Sequence, residues 1–219
     1  MKRQKIAIEN YKRFCNLDGS DFIASEFALK TLLRIVKFFK VKSILEVGLG
    51  IGSVSDTILK YVNSRKLSIV YNGTENNDFC LKVLPENVTF FSQINVFDNL
   101  NSLPNNKYDL IIIDGSDESL LSLKEICNEN TIVFIEGGRQ EQTKMVLSIF
   151  PNALYVNVIT LKKNPFYAHE NRSIKNYIGG GQLLFINPTF KMKMFWLNEK
   201  VLTFVKIQVR KFKSKISTN

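Results

Sequence analysis

The sequence predicts a three-layer α/β domain, a mostly parallel sheet between helices, and three stretches carry that prediction. Residues 43–56, SILEVGLGIGSVSD, run from a short apolar segment through an acid and three alternate glycines into small polar residues that open a helical pattern. Leu110–Ile113 is a continuous apolar run of the kind buried on both faces of a parallel sheet, and it ends in Asp114-Gly115. Thr131–Ile135 repeats the pattern and stops at Glu136-Gly137-Gly138-Arg139.

The remaining elements follow in order. Residues 1–21 read as a basic arm, and Asp18-Gly19-Ser20-Asp21 is a turn with helix-cap candidates. Phe27, Leu32, Ile35, Val36 and Phe39 then recur at helical spacing, placing a helix beside the first strand. Ile44, Leu45 and Val47 form that strand, and a helix from Ser53 to Val62 completes the first half of a βαβ unit. A second strand is read over Leu67–Tyr71, leading to Asn72-Gly73-Thr74-Glu75, and a third over Val88–Phe91. After the fourth and fifth strands come a helix over Thr143–Phe150 and two strands, Ala153–Leu161 and Gly181–Ile186, joined by a long polar and aromatic loop. Residues 192–216 close the chain as an amphipathic helix, with Met194, Val201, Leu202, Val205, Val209, Phe212 and Ile216 on one side and lysines mostly opposite.

Composition narrows the class. With 45% hydrophobic and 23% charged residues over 219 positions, the chain has globular make-up and length for one substantial core. Cys15, Cys80 and Cys127 are far apart and lack C-x-x-C spacing, which argues against a disulfide framework or a zinc site. The basic start has no apolar segment behind it and no later run matches a membrane span, so a cytoplasmic location is expected. Residues 1–14 hold five cations and one acid, and residues 190–219 hold eight and one. The body between them therefore carries −1 of the total +10. An anionic partner would be met by the ends. The expected organisation is a basic arm (1–21), a ligand-binding domain (22–189) and a basic amphipathic helix (190–219).

Gly48, Gly50 and Gly52 remove side chains where the chain turns sharply and let a ligand lie against bare backbone, beside the electropositive start of the next helix. The dinucleotide fingerprint G-x-G-x-x-G would need its third glycine at Ser53, and Glu46 would repel a pyrophosphate while suiting an ammonium or sulfonium group. Glu46–Gly52, EVGLGIG, resembles motif I of class I S-adenosylmethionine (SAM) dependent methyltransferases. The resemblance covers residues 43–136. It implies a Rossmann-like, seven-stranded sheet ending in an antiparallel hairpin, with SAM as cofactor and Glu46 and the three glycines at its methionine end.

A carboxylate past the second strand can accept both hydroxyls of a ribose, which makes Glu75 the ribose residue. In the resembling family a polar residue after the third strand meets the adenine, and Asn95 and Asp98 both qualify. Asp114-Gly115 is similar to the end of the fourth strand in small-molecule O-methyltransferases, so Asp114 would border the methyl-transfer site. Metal-dependent members hold a divalent cation with that acid and an Asp-Asn pair ending strand five. Here Glu136 is followed by glycine, so a metal is not favoured and Asp114 and Glu136 would act as polar walls or as a base. Arg139 could bind an anionic group. The segment from Asn164 to Arg172 is expected on the ligand side, with His169, the only histidine, as a candidate base. Asn164-Pro165-Phe166-Tyr167 resembles the Asn-Pro-Pro-Tyr motif of adenine and glutamine N-methyltransferases but lies outside the place after strand four, and the match is taken as coincidental.

Three surfaces compete for the C-terminal helix: its own domain or a second copy, an anionic membrane, and, last, RNA, for which no aromatic platform is evident. The expected function is methyl transfer from SAM to an oxygen or nitrogen of a small-molecule, sugar or lipid-linked acceptor, in the cytoplasm or at the inner membrane face. The competing readings are a nicotinamide-dependent oxidoreductase and a noncatalytic scaffold that binds an anionic partner.

Overall fold

In the computed structural model, which describes residues 2–115, 118–168 and 173–217, the apolar runs become the centre of a seven-stranded sheet. The strands are β1 (Ser43–Val47), β2 (Val70–Thr74), β3 (Ile94–Phe97), β4 (Tyr108–Ile113), β5 (Cys127–Glu136), β6 (Leu154–Val158) and β7 (Gly181–Phe185), in the order β3-β2-β1-β4-β5-β7-β6. The first five run parallel, and β7 lies antiparallel to both β5 and β6, which is the expected terminal hairpin. Alternation along the central strands explains why they read as unbroken apolar runs. Ile44, Leu110, Ile112 and Phe134 pack to one face, and Leu45, Val47, Ile111 and Val133 to the other.

The helices are α1 (Arg3–Phe14), α2 (Glu26–Phe39), α3 (Ser53–Ser64), α4 (Asp78–Asn87), the single turn α5 (Leu123–Ile126), α6 (Gln140–Ile149) and α7 (Phe190–Ser217). The segment read as a basic arm is thus largely helix. Ile6, Ala7, Tyr11 and Phe14 are buried in the core, while Lys5 and Lys12 of α1 stay exposed. Arg13 reaches across to the fully buried Asp56 at 2.5 Å, and Asp56 also meets Lys60 at 2.7 Å and the Thr89 amide at 2.8 Å. The scatter of charge in residues 1–14 hides this amphipathic pattern.

Two strands sit later than their apolar runs suggest. Lys66 adopts a left-handed φ of 52° and Leu67 is exposed, so Leu67 belongs to the turn leaving α3 and β2 begins at Val70. Residues 88–91 bury apolar surface without entering the sheet: the Val88 amide closes α4 on Leu84, and Phe91–Gln93 forms a 3-10 turn ahead of β3. Asn95 therefore lies within β3 instead of after the third strand.

The C-terminal helix docks on its own domain through a different stripe from the apolar one seen in sequence. Met192 and Phe195 are buried, with Phe195 against Phe38, Phe39 and Phe185, and Glu199 is buried in an ion pair with Arg34 at 2.7 Å. Further along, α7 meets the open edge of β6. The Trp196 indole donates to the Tyr155 carbonyl at 2.7 Å, the Thr203 hydroxyl to Asn157 at 2.6 Å and the Lys206 ammonium to Ile159 at 2.9 Å, and the Arg210 guanidinium donates to Thr160. Side-chain donors thus satisfy carbonyls that an edge strand leaves unpaired. That need explains a polar stripe on the buried side.

Candidate functional site

A cleft of about 800 Å³ opens at the carboxyl ends of the parallel strands, where the order reverses between β1 and β4. This is the topological switch point at which open α/β sheets bind ligands, and the volume is that of a small-molecule or cofactor site.

Three loops build its floor. After β1 the chain turns through Gly48 (φ 85°), Gly50 (φ 53°) and Gly52 (φ 94°), and Gly48 and Gly50 line the cleft. Gly52 does not: it precedes α3, and a Cβ there would stand 2.3 Å from Val88, so its role is packing against α4. The amides of Gly48 and Leu49 both donate to the Thr74 carbonyl, at 3.1 and 2.9 Å, which ties the glycine loop to the end of β2.

Glu75 follows directly and lines the cleft. It accepts from the Gly50 amide at 2.7 Å and from the Asn76 and Asn77 amides at 3.0 and 2.9 Å. This carboxylate is fixed by both the glycine loop and the approach to α4. Beyond it, Asp98 lines the cleft but Asn95 does not. Asn95 donates to Asn72 at 2.9 Å, whose amide donates to the Tyr108 hydroxyl at 2.6 Å, so it joins strands. Asn99 and Asn101 stand in its place, and the sequence reading passed over both.

Glu46 also departs from expectation. It is fully buried and lies outside the cleft lining; the Tyr71 hydroxyl donates to one carboxylate oxygen at 2.5 Å, and among the described residues the other oxygen has no hydrogen-bond partner. Burial pushes its carboxyl well above the usual range, and the charges of Asp114 and Glu75 push the same way, against the Tyr71 hydrogen bond. Burial thus favours its protonated form, and its carboxyl does not line the cleft. Unfolded, it ionises near 4.5. The stability contribution of the protonated form is complete below that value and is lost as pH rises through the folded value. Glu46→Gln removes this loss. Urea unfolding at about pH 5 and about pH 8 should show the variant gaining on the native chain by about 1.4 kcal/mol for each pH unit inside the window.

At the far wall, Asp114 follows β4 and Glu136 ends β5, and Arg139 stands between them. Its guanidinium is 3.2 Å from Asp114 Oδ1 and 3.3 Å from Glu136 Oε2, and it also donates to the carbonyls of both residues. Glu136 further accepts from the Ser25 amide at 3.1 Å. Arg139 is thus paired with two carboxylates in the cleft wall. Among the described residues no group of three or more His, Cys, Asp or Glu side chains is placed to hold a metal ion.

Cys80 lines the cleft too, but burial, with the Glu75 charge, pushes its thiol up to about 11, leaving it a weak nucleophile at neutral pH. The described part of the loop after β6 turns away. Tyr167 donates to Glu26 at 2.6 Å and stacks edgewise on Tyr11, and none of residues 164–168 lines the cleft. His169 lies outside the described residues. The near wall comes instead from Asp21, Phe22 and Ile23, in the turn before α2, which no sequence signal connected with a ligand.

The charge of the lining is one-sided. Asp21, Glu75, Asp98, Asp114, Glu136 and Glu141 face a single guanidinium among the described residues.

No protein-family model matches the sequence, and no curated protein matches it significantly. Solved structures do match in fold. An O-methyltransferase from Bacillus cereus in complex with the demethylated product SAH superposes with a TM-score of 0.59 at 12% identity, over 83% of this chain and 90% of that one. An O-methyltransferase from Streptomyces achromogenes involved in tomaymycin synthesis, in complex with SAM, gives 0.57 at 13%, over 85% and 90%. An SAH-bound methyltransferase from Podospora anserina gives 0.55 at 12%, over 83% and 87%. The chain has the class I methyltransferase fold.

Proposed function

We propose that this cleft binds SAM and that the protein transfers its methyl group to an oxygen or nitrogen of a small-molecule, sugar or lipid-linked acceptor. The observation that carries the reading is the sign of the cleft, six carboxylates against one guanidinium around a loop of bare backbone. SAM brings an ammonium and a sulfonium with one carboxylate and fits such a lining, where the pyrophosphate of a nicotinamide dinucleotide would be repelled. The fold supports the same choice.

When bound, SAM supplies a methyl group already activated by its sulfonium, and the protein's part is placement and proton removal. Gly48 and Gly50 bring backbone to the cleft lining, and Glu75 presents its carboxylate to two adjacent hydroxyls. Asp98, with Asn99 beside it, offers polar atoms to a base edge. Asp114 and Glu136 face the acceptor and take the proton that the acceptor loses. Arg139 supplies between them the positive charge that a divalent cation supplies in metal-dependent members of the resembling family. The reaction is assigned to the cytoplasm, a compartment that keeps the thiols of Cys15, Cys80 and Cys127 reduced.

Calorimetric titration of the purified protein with SAM, SAH and NAD tests the reading. Saturable binding of SAM and SAH, and none of NAD, is the expected result. Binding of NAD alone would move the protein to the oxidoreductases, and binding of none would leave a scaffold.

A further inference from the structure

The docked stripe of α7, the buried Met192, Phe195, Glu199 and Thr203 with the half-buried Lys206 and Arg210, fixes which way the rest of the helix faces. At about 100° per residue, Phe190, Met194, Leu197, Val201 and Phe204 fall about 180° from that stripe, and Phe212 continues the line. These side chains are exposed, Phe190 to 79%, Phe204 to 63% and Phe212 to 66%. Along one flank stand Lys193, Lys200 and Lys211, all exposed. The only acid from Phe190 to Ser217 is Glu199, which is buried and paired with Arg34. The helix therefore shows water an apolar ridge bordered by cations, with no exposed carboxylate.

We propose that this face of α7 lies on an anionic phospholipid surface. Charge complementarity selects that occupant over a second copy. Two such helices pairing along the ridge would bring lysine against lysine with no acid to answer them, whereas a self-complementary seam alternates signs. A lipid surface accepts both components, the ridge at the level of the acyl chains and the lysines at the phosphates. The helix does not span the bilayer: among the described residues no helix is long and apolar enough to cross one. Docking through the opposite stripe holds α7 rigidly to the sheet edge, so the whole domain would be carried to the surface. The inference is independent of the ligand of the cleft.

Deleting α7 would uncover the edge of β6 and confuse folding with binding, so the test uses the full chain with exposed-site variants. Co-sedimentation with vesicles of phosphatidylcholine alone and of phosphatidylcholine doped with phosphatidylglycerol should show retention only on the anionic vesicles, weakening with added salt. Val201→Asp with Phe204→Asp should lower that retention by about tenfold or more, as should Lys193→Glu with Lys200→Glu and Lys211→Glu. Neither set should shift the thermal midpoint, because none of these side chains is buried. Three results overturn the proposal: no retention of the native chain on anionic vesicles, retention unchanged by the Val201/Phe204 pair, or sedimentation as a dimer that this pair dissociates. Tighter retention on single-stranded RNA than on anionic vesicles would likewise assign the face elsewhere.

Discussion

Replacing Glu75 by alanine should lower SAM affinity by about a hundredfold or more in a calorimetric titration while leaving the thermal midpoint nearly unchanged. Two effects combine. A carboxylate accepting two hydroxyls makes charge-assisted hydrogen bonds, each worth about 1.5–3 kcal/mol. The same carboxylate also gathers the amides of Gly50, Asn76 and Asn77, so its loss frees the glycine loop that would have to be ordered again on binding. Stability is spared because Glu75 is only partly buried and the amides it releases can turn to water. Glu75→Gln separates the contributions: it retains an acceptor oxygen near the loop but loses the charge, and an intermediate affinity is expected. Equal binding by all three proteins would remove Glu75 from the ligand site and, with it, the strongest link between the cleft and a ribose.

How far such a site can be read without coordinates depends on where its residues come from. Glu75, Asp98, Asp114 and Glu136 were legible because each follows or ends a strand, and in a parallel sheet those ends converge on one edge. Glu75 follows the second strand even though β2 begins three residues later than its apolar run suggested, since the turn residues Asn72 and Gly73 proved to be strand. Asn95 was misplaced for the opposite reason: Val88, Phe90 and Phe91 are apolar because they pack on the core, not because they form a strand. Glu46 sits where the motif predicts, but side chains alternate along a strand and its position points into the core beside Tyr71. Asp21 to Ile23 carry no pattern that a ligand site would leave, and only the packing of Phe22 over Gly50 brings them to the cleft. For α7, the apolar count suggested which side should be buried, whereas the open carbonyls of β6 required donors. That requirement is tertiary and has no local signature.

Gly48→Ala should cost about 2–5 kcal/mol in urea unfolding and should also weaken SAM binding. At φ 85° an L-residue pays roughly 1–2 kcal/mol for the left-handed conformation. Its Cβ would also lie 2.6 Å from the Gly115 Cα and 2.7 Å from the Gly115 nitrogen, backbone atoms that cannot swing aside, and such overpacking adds about 1–3 kcal/mol. The strain has one direction in which to relax. The amides of Asp114 and Gly115 both donate to the Val47 carbonyl at 2.9 Å, so pushing Gly115 away from Gly48 strips that carbonyl and displaces Asp114 from Arg139. Gly138→Ala is the control: no atom would lie within 4 Å of the added methyl group, and its φ is not left-handed. Its unfolding free energy should stay within about 0.5 kcal/mol of the native value. A Gly48→Ala protein as stable as the Gly138→Ala control would mean that the β1 and β4 loops are not held in contact. The glycine at 48 would then have to be explained by the ligand alone.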